Sequence, residues 1–597
     1  MASRGIAIPA GRGGARMSFN LRPLLQVTQI NRQGPGRNIK LPKFPKNFFC
    51  TPRAALGLSP PVPAGKESSF EPSLWGDFFI TYEPQPLQRS EEWMRERAEK
   101  LKEDVQRLFK SCNGTGERIL LVDVLQHLGI DHHFNEQIDT ALSEILESEF
   151  SSSSLHEVAL RFRLLREHGH WVSSDVFNKF KGEDGSFNKD TTNDPRGLLS
   201  LYNAAHLLVH DEPALEEAIA FARRHLESIR GRLMSPLAEQ VKRALQLPLP
   251  RTCARVEAVC YISEYEEEEG HNPILLELAK LDFNLLQRLH LKELKAMTEW
   301  WEELSGFIEL SYVRDRLVEC YLWSLVPHCE ESFGLSRIIF TKTNVLLTIM
   351  DDTYDMHATI EECRQLHEAA QRWDESAISL LPEYLRKFYN ELLRNIKEIG
   401  DEMAVNGNYE IAYIKKQLQK QFTYYLQDAE WIHQNHKPSF DDRLNLGGLT
   451  VGGPTACVCF LVGMGDAVSK ETLEWVAGYP QVVMASARAA RLMNDISSLK
   501  RGKSKKGDVP SSVECYMAEH GVTREIAVAR FESLVEDEWR SMNQARFGNR
   551  ALLPAVQRVI KFATSLPLFY GDGNDGFTFA SHLRKTVESL FINPIPI

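Results

Sequence analysis

Residues 346–362 read LLTIMDDTYDMHATIEE, and they place three carboxylates, Asp351, Asp352 and Asp355, directly behind an apolar run. On a helix, residues one turn apart stack on one face, so Asp351 and Asp355 share a side. The preceding VLLTIM predicts that this helix is largely buried. Like charges so close repel, and the arrangement costs stability unless cations or solvent compensate. A solvated acidic helix end is the plain alternative. A crowded set of oxygens in a buried setting suits a hard cation. Mg²⁺ takes one or two carboxylates, keeps waters, and binds substrate phosphates with its remaining positions.

A second oxygen face lies far downstream in RLMNDISSLK, residues 491–500, where Asn494 and Ser498 are one turn apart and Asp495 sits beside them. Only a folded bundle brings the two clusters together. Cations accompany both. Arg314 and Arg316 flank Asp315 in YVRDRLVECY, Arg491 precedes the second cluster, and Lys500, Arg501, Lys503, Lys505 and Lys506 follow it. Guanidinium forks beside metal-binding carboxylates point to a di- or polyphosphate ligand.

The rest of the 597-residue chain reads as helical from Trp75 onward. Apolar residues recur at helical spacing in SEEWMRERAEKLKEDV, with Ser90 as the expected N-cap. Strand-like alternation is scarce. The loop YEEEEGHNPI, residues 265–274, and the helical run behind it set an expected domain boundary near residue 280. The expected parts are thus a leader over 1–66, one helical domain over 67–280 and a second over 281–597, each built by packing amphipathic faces. The leader carries 11 Lys or Arg and no acid before Glu67. It has no long apolar core, which argues against a secretory signal and for an organelle transit peptide, with a basic tail as the alternative. The net charge of -11 disfavours a general nucleic-acid surface. Residues 444–465, LNLGGLTVGGPTACVCFLVGMG, are long enough to cross a bilayer. Their Gly, Thr and Pro content predicts a broken core helix instead, and no membrane span. Gly452 and Gly453 mark the break, where freed backbone carbonyls are expected to face a ligand. The ten cysteines show no metal-type spacing and read as free thiols.

The pieces DDTYD, RDR, RLMNDISS, SSVECYM and YGDGNDGF, together with SEEWMRERAEKLKEDV and FRLLREHGHWVSSDVF, resemble the plant class I terpene synthases from about residue 70 to the end. The resemblance implies an all-α protein of two helical domains, a C-terminal class I terpenoid synthase α-bundle behind an N-terminal α-barrel-like domain. It implies a metal-dependent lyase that ionises an acyclic prenyl diphosphate, with three Mg²⁺ or Mn²⁺ per site and the enzyme a monomer. The implied metal ligands are Asp351, Asp352, Asp355, Asn494, Asp495 and Ser498. Arg314, Asp351, Asp355, Arg491 and Asn494 are the implied substrate contacts. Arg314, Arg316, Trp323, Arg491, Tyr570 and Asp575 form the implied catalytic set, with Trp323 lining the hydrocarbon cavity. Asp428, Glu430 and Trp431 match a further acidic segment of the family. One departure stands out: the second metal motif continues to a Glu in the family, and this chain has Gly502 there.

Two features disagree on chain length of the substrate. The basic leader implies a plastid and geranyl diphosphate, which the reading weakly favours. The tandem arginines that monoterpene cyclases carry ahead of the Trp matching Trp75 are replaced by Gly65-Lys66. That absence favours farnesyl diphosphate; geranylgeranyl diphosphate is a third possibility. No DxDD motif is present, so protonation-initiated cyclisation is not expected. A prenyltransferase would share DDxxD, and a non-catalytic helical scaffold would explain the helices but not two oxygen clusters with an arginine pair.

Overall fold

Helix after helix follows the caps written into the sequence. A computed structural model describes residues 70–597 except residue 149, residues 404–408 and residues 502–509. The leader, Gly502, Lys503, Lys505 and Lys506 lie outside the described residues. Ser90 caps the helix Glu91–Ser111 by accepting from the Trp93 amide at 3.2 Å. Thr359 with Glu362, and Ser511 with Glu514, form complete capping boxes. Among the described residues there is no strand, only an isolated antiparallel bridge between Lys181 and Phe187. The all-α reading holds.

The longest helix, Pro273–Ile308, starts with the Asn272 side chain accepting from the Ile274 amide at 2.9 Å and with Pro273 in the first turn. It runs unbroken across residue 280, so the chain passes the expected boundary in a helix rather than a loop. It ends where Glu309 adopts a left-handed conformation (φ 55°). The short loop beyond carries Tyr312, Arg314 and Arg316 into the helix Leu317–Leu325.

The helix Gly334–Asp352 is the axis of the C-terminal half. Ile339, Phe340, Leu346, Ile349 and Met350 are buried on different sides of it. Helices Leu317–Leu325, Tyr409–His433 and Gly453–Leu461 pack around it. Each such side chain fully buried stabilises the fold by about 1.5–3 kcal/mol, which fixes the helix that ends in the aspartates. Opposite lies Gln481–Lys500, held against Phe440–Thr450, Gly453–Leu461 and Arg524–Ala545.

Residues 440–461 are apolar and long enough to span a membrane, yet 83% of the span is buried in protein. The segment is broken at Gly452 (φ 77°), and Pro454 restarts it in the first turn of Gly453–Leu461. The carbonyls freed at Leu449 and Thr450 do not face a ligand as expected. The Gln421 amide donates to both at 3.2 Å, and Thr455 donates to the Gln421 oxygen at 3.0 Å. A buried carbonyl needs a partner, and the neighbouring helix supplies it.

Candidate active site

Asp351 and Asp352 close the 334–352 helix, and Asp355 lies in a single wider π turn, Thr353–His357. Such turns insert one residue into a helix and re-aim side chains. This one is locked in place: Thr353 Oγ1 donates to Ile349 O at 2.6 Å, Tyr312 bonds Thr353 at 3.0 Å, and the Tyr312 ring stacks on His357 at 4.1 Å.

The three aspartates have different fates. Asp352 is fully buried and turned into the protein. The Arg314 main-chain amide donates to its Oδ2 at 2.8 Å, and the Arg314 guanidinium lies 2.8 Å from its Oδ1. Burial pushes the Asp352 carboxyl up to about 6, against the pull of Arg314. It anchors the arginine loop and is not placed to ligate a metal, which corrects the expectation. Asp351 is half-exposed and also holds the Arg314 guanidinium. Asp355 is reachable by solvent but crowded by protein. That crowding, followed by the charges of Asp351 and Asp428, holds its carboxyl well above the usual carboxylate range.

The opposing wall repeats the pattern. Asn494 and Ser498 are half-exposed on one face of the 481–500 helix. Asp495, expected as a ligand, is buried. It accepts from the Ser512 amide at 3.1 Å and from the Ser512 hydroxyl, and it pairs with Arg491 at 2.8 Å. Its role is to dock the helix Ser512–His520 and aim Arg491. Arg491 also donates to the Asn494 side-chain oxygen.

Both walls border one compartment. Burial disfavours the Arg491 charge, but Asp495, Tyr570, Asp428 and Asp351 outweigh it and raise its pKa. The buried Tyr570 hydroxyl is pushed up by burial and then by Asp575, with Arg491 and Arg314 opposing. Tyr570 therefore lies within electrostatic reach of both arginines. Asp428 is held by Arg443 at 2.6 Å. Glu430 instead faces outward to Arg364 at 2.8 Å, and Trp431 packs on His436 at 5.1 Å.

An aromatic wall completes the site. Trp323 stacks on Phe569 at 4.2 Å and meets the tilted ring of Phe577 at 4.9 Å. The Arg314 guanidinium lies over Phe577 at 5.1 Å and Phe70 at 4.6 Å. Asp575 serves this wall rather than the reaction centre, because its Oδ1 accepts from the Phe577 and Thr578 amides at 3.2 and 3.0 Å.

Arg316 does not sit where the resemblance puts it. Its guanidinium donates to four main-chain carbonyls, those of Phe577 (2.8 Å), Thr578 (2.8 Å), Asp315 (2.6 Å) and Glu71 (2.5 Å). It ties the chain before Trp75 to the loop after Tyr570 and has no free fork for a diphosphate. Two residues escaped the sequence reading. Gly447 leaves the space that the Arg491 side chain fills, since a Cβ there would lie 2.5 Å from Arg491 Cδ. Tyr425 is buried, which raises its pKa, and it lies within electrostatic reach of Asp351, Asp355 and Arg314. The GG doublet was the available signal for the first; nothing local marks the second.

The open donors, Asp351, Asp355, Asn494 and Ser498, are all oxygens around an excess of negative charge, which fits hard divalent cations. A family model for the terpene synthase metal-binding domain matches residues 302–541, and one for the terpene synthase N-terminal domain matches residues 74–245. The chain belongs to the terpene synthase family. It is 51% identical to tau-cadinol synthase of Zea mays, over 88% of this chain and 98% of that protein. Isoprene synthase of grey poplar, solved with three Mg²⁺ ions and dimethylallyl-S-thiolodiphosphate, superposes with a TM-score of 0.78 at 31% identity, over 88% of this chain and 99% of that one. Limonene synthase with 2-fluorolinalyl diphosphate gives 0.78 at 30% identity, over 88% of this chain and 99% of that one. This terpene synthase is a lyase that acts on a prenyl diphosphate, and its C-terminal half is the metal-binding part.

Proposed function

We propose that this terpene synthase converts farnesyl diphosphate to a sesquiterpene, acting as a monomer with three Mg²⁺ per site. The observation that carries this is the product class of its relatives. Tau-cadinol synthase and alpha-copaene synthase of Zea mays are each 51% identical, and (-)-germacrene D synthase of Vitis vinifera is 38% identical. These are sesquiterpene synthases, so the order of the two sequence readings reverses and the fifteen-carbon substrate leads. Gly65-Lys66 in place of tandem arginines supports the same choice.

The residues divide the work. Arg314 exchanges Asp351 for a diphosphate oxygen while Asp352 keeps hold of its main-chain amide. Arg491, aimed by Asp495, takes a second oxygen from the facing wall. Bound divalent ions supply further neutralisation of the departing diphosphate, with Asp351, Asp355, Asn494 and Ser498 as the residues that would hold them. Fixed positive charge aimed at the leaving group lowers the cost of breaking the C–O bond, whose electron pair goes to the diphosphate. Trp323, backed by the fully buried Phe569, and Phe577 exclude water and present ring faces to the allylic cation, each such contact being worth about 0.5–2 kcal/mol. Burial, with Asp575 adding, holds the Tyr570 hydroxyl in its protonated form. The cation ends by losing a proton or capturing water, with diphosphate available to accept the proton.

Incubation with C10, C15 and C20 prenyl diphosphates and Mg²⁺, read by product mass, tests the assignment. Farnesyl diphosphate should give a kcat/KM at least tenfold above geranyl diphosphate; the reverse order would restore the monoterpene reading. The leader over 1–66 we assign to plastid import, from its basic, acid-free composition. A reporter fused to residues 1–66 should enter plastids, and a cytosolic distribution would withdraw that assignment.

A further inference from the structure

A second cluster with metal-ligand chemistry lies outside the catalytic compartment. The turn Asp131–His133 presents two adjacent imidazoles to Asp282 on the 273–308 helix. His133 Nε2 is 2.7 Å from Asp282 Oδ1, and His132 Nε2 is 3.8 Å from the same oxygen. The ring centroids are 3.9 Å apart. His132 Nδ1 lies 3.1 Å from Gly129 O, a contact that only a protonated Nδ1 can make. In the neutral imidazole this leaves the Nε2 lone pair free and aimed toward Asp282 from beyond hydrogen-bond reach. A structural His–Asp pair needs only His133; the second imidazole has no use in it.

We propose that His132, His133 and Asp282 bind one divalent transition cation of the zinc class. Tetrahedral ligation with bonds of about 2.0 Å needs donor atoms about 3.3 Å apart. The separations of 2.7 and 3.8 Å bracket that value, so a small shift of the turn completes the site. Two imidazoles and one carboxylate select Zn²⁺, Co²⁺ or Ni²⁺ over Mg²⁺, unlike the all-oxygen catalytic donors. Arg255, a cation whose charge reaches Asp282, is spent on Phe283, donating to its carbonyl at 2.7 Å and lying 3.8 Å over its ring. The three side chains are 10–19% exposed, so an ion can enter and keep a water as a further ligand. The ion clasps the 131–133 turn to the helix that leads into the Arg314 loop, and it stabilises the fold by binding only the folded state.

The test uses the full chain with excess Mg²⁺ and inorganic diphosphate, so that the catalytic compartment is filled. Co²⁺ titration followed by visible absorption should show one site per chain, and Zn²⁺ should raise Tm by about 2–4 °C. Both signals should persist in a D351N/D355N double variant and weaken at least tenfold in His132→Ala, with Mg²⁺-dependent turnover of His132→Ala unchanged. His132→Asn keeps a donor for Gly129 O and should also lose the ion, which separates metal loss from loss of that turn contact. Absence of binding in the double variant, or binding at wild-type strength in either His132 variant, would overturn the proposal.

Discussion

Gly447 and Arg491 are in contact so close that no side chain can be added between them: a Cβ on Gly447 would meet Arg491 Cδ at 2.5 Å and Cγ at 2.9 Å. The guanidinium beyond is fixed by Asp495. A methyl at 447 therefore pushes Arg491 off its aim while the helix, whose backbone is ordinary at that residue, remains. Gly447→Ala should lower kcat/KM at least tenfold, about 1.4 kcal/mol of transition-state stabilisation, with little change in Tm. Unchanged kinetics would mean that Arg491 tolerates a different path to the diphosphate.

Burial raises the pKa of Asp355, and the charges of Asp351 and Asp428 raise it further. The site therefore holds a charge conflict that a divalent ion relieves. Asp355→Asn should raise Tm in the presence of a chelator, and Mg²⁺ should then add less stability than it adds to the wild type. Turnover should fall at least a hundredfold. A variant that loses Tm in chelator would show that Asp355 has a stabilising partner in the apo state.

How much of this could be read beforehand depends on the length scale. The DDTYD and NDISS clusters were readable because helical spacing is local: a turn apart means a shared face. Which member of each cluster faces the cavity was not. Asp352 and Asp495 turn inward because Arg314 and Ser512 approach from other segments, with Arg491 pairing to Asp495 from one turn back on the same helix. Arg316 fails for the same reason on a longer scale, its partners being Glu71 and Phe577 at opposite ends of the chain. The expected boundary near 280 followed the segment 265–274 read as a loop, but its first three residues end the helix Ala254–Glu267, and Asn272 and Pro273 start a helix that continues through residue 280.

Arg316 is a strap on this evidence of geometry, and the role separates cleanly from diphosphate binding. Arg316→Lys keeps the charge but cannot serve four carbonyls. Buried carbonyls left unpaired cost about 1–3 kcal/mol each. The variant should lose several degrees of Tm and become more sensitive to proteolysis in the 571–579 loop. Its affinity for inorganic diphosphate with Mg²⁺ should stay within twofold of wild type. A tenfold loss would put Arg316 back at the leaving group.

Glu319 lies one turn before Trp323 on the 317–325 helix, is 1% exposed, and neither carboxylate oxygen has a hydrogen-bond partner. Burial pushes its carboxyl up to about 7, with Arg316 opposing and Asp315 and Glu71 adding. The folded pKa is thus raised above the unfolded value near 4.5. At pH values below 4.5 both states are protonated and the burial carries no ionic penalty. Between 4.5 and 7 the unfolded chain ionises while the folded one does not, so stability falls as pH rises, by roughly 3 kcal/mol once both are ionised. Glu319→Gln removes that slope. In urea unfolding, the variant should gain on wild type by roughly 2–3 kcal/mol between pH 5 and pH 8. An equal difference at both pH values would mean that Glu319 is paired in solution, most directly by a guanidinium released from the Arg316 strap.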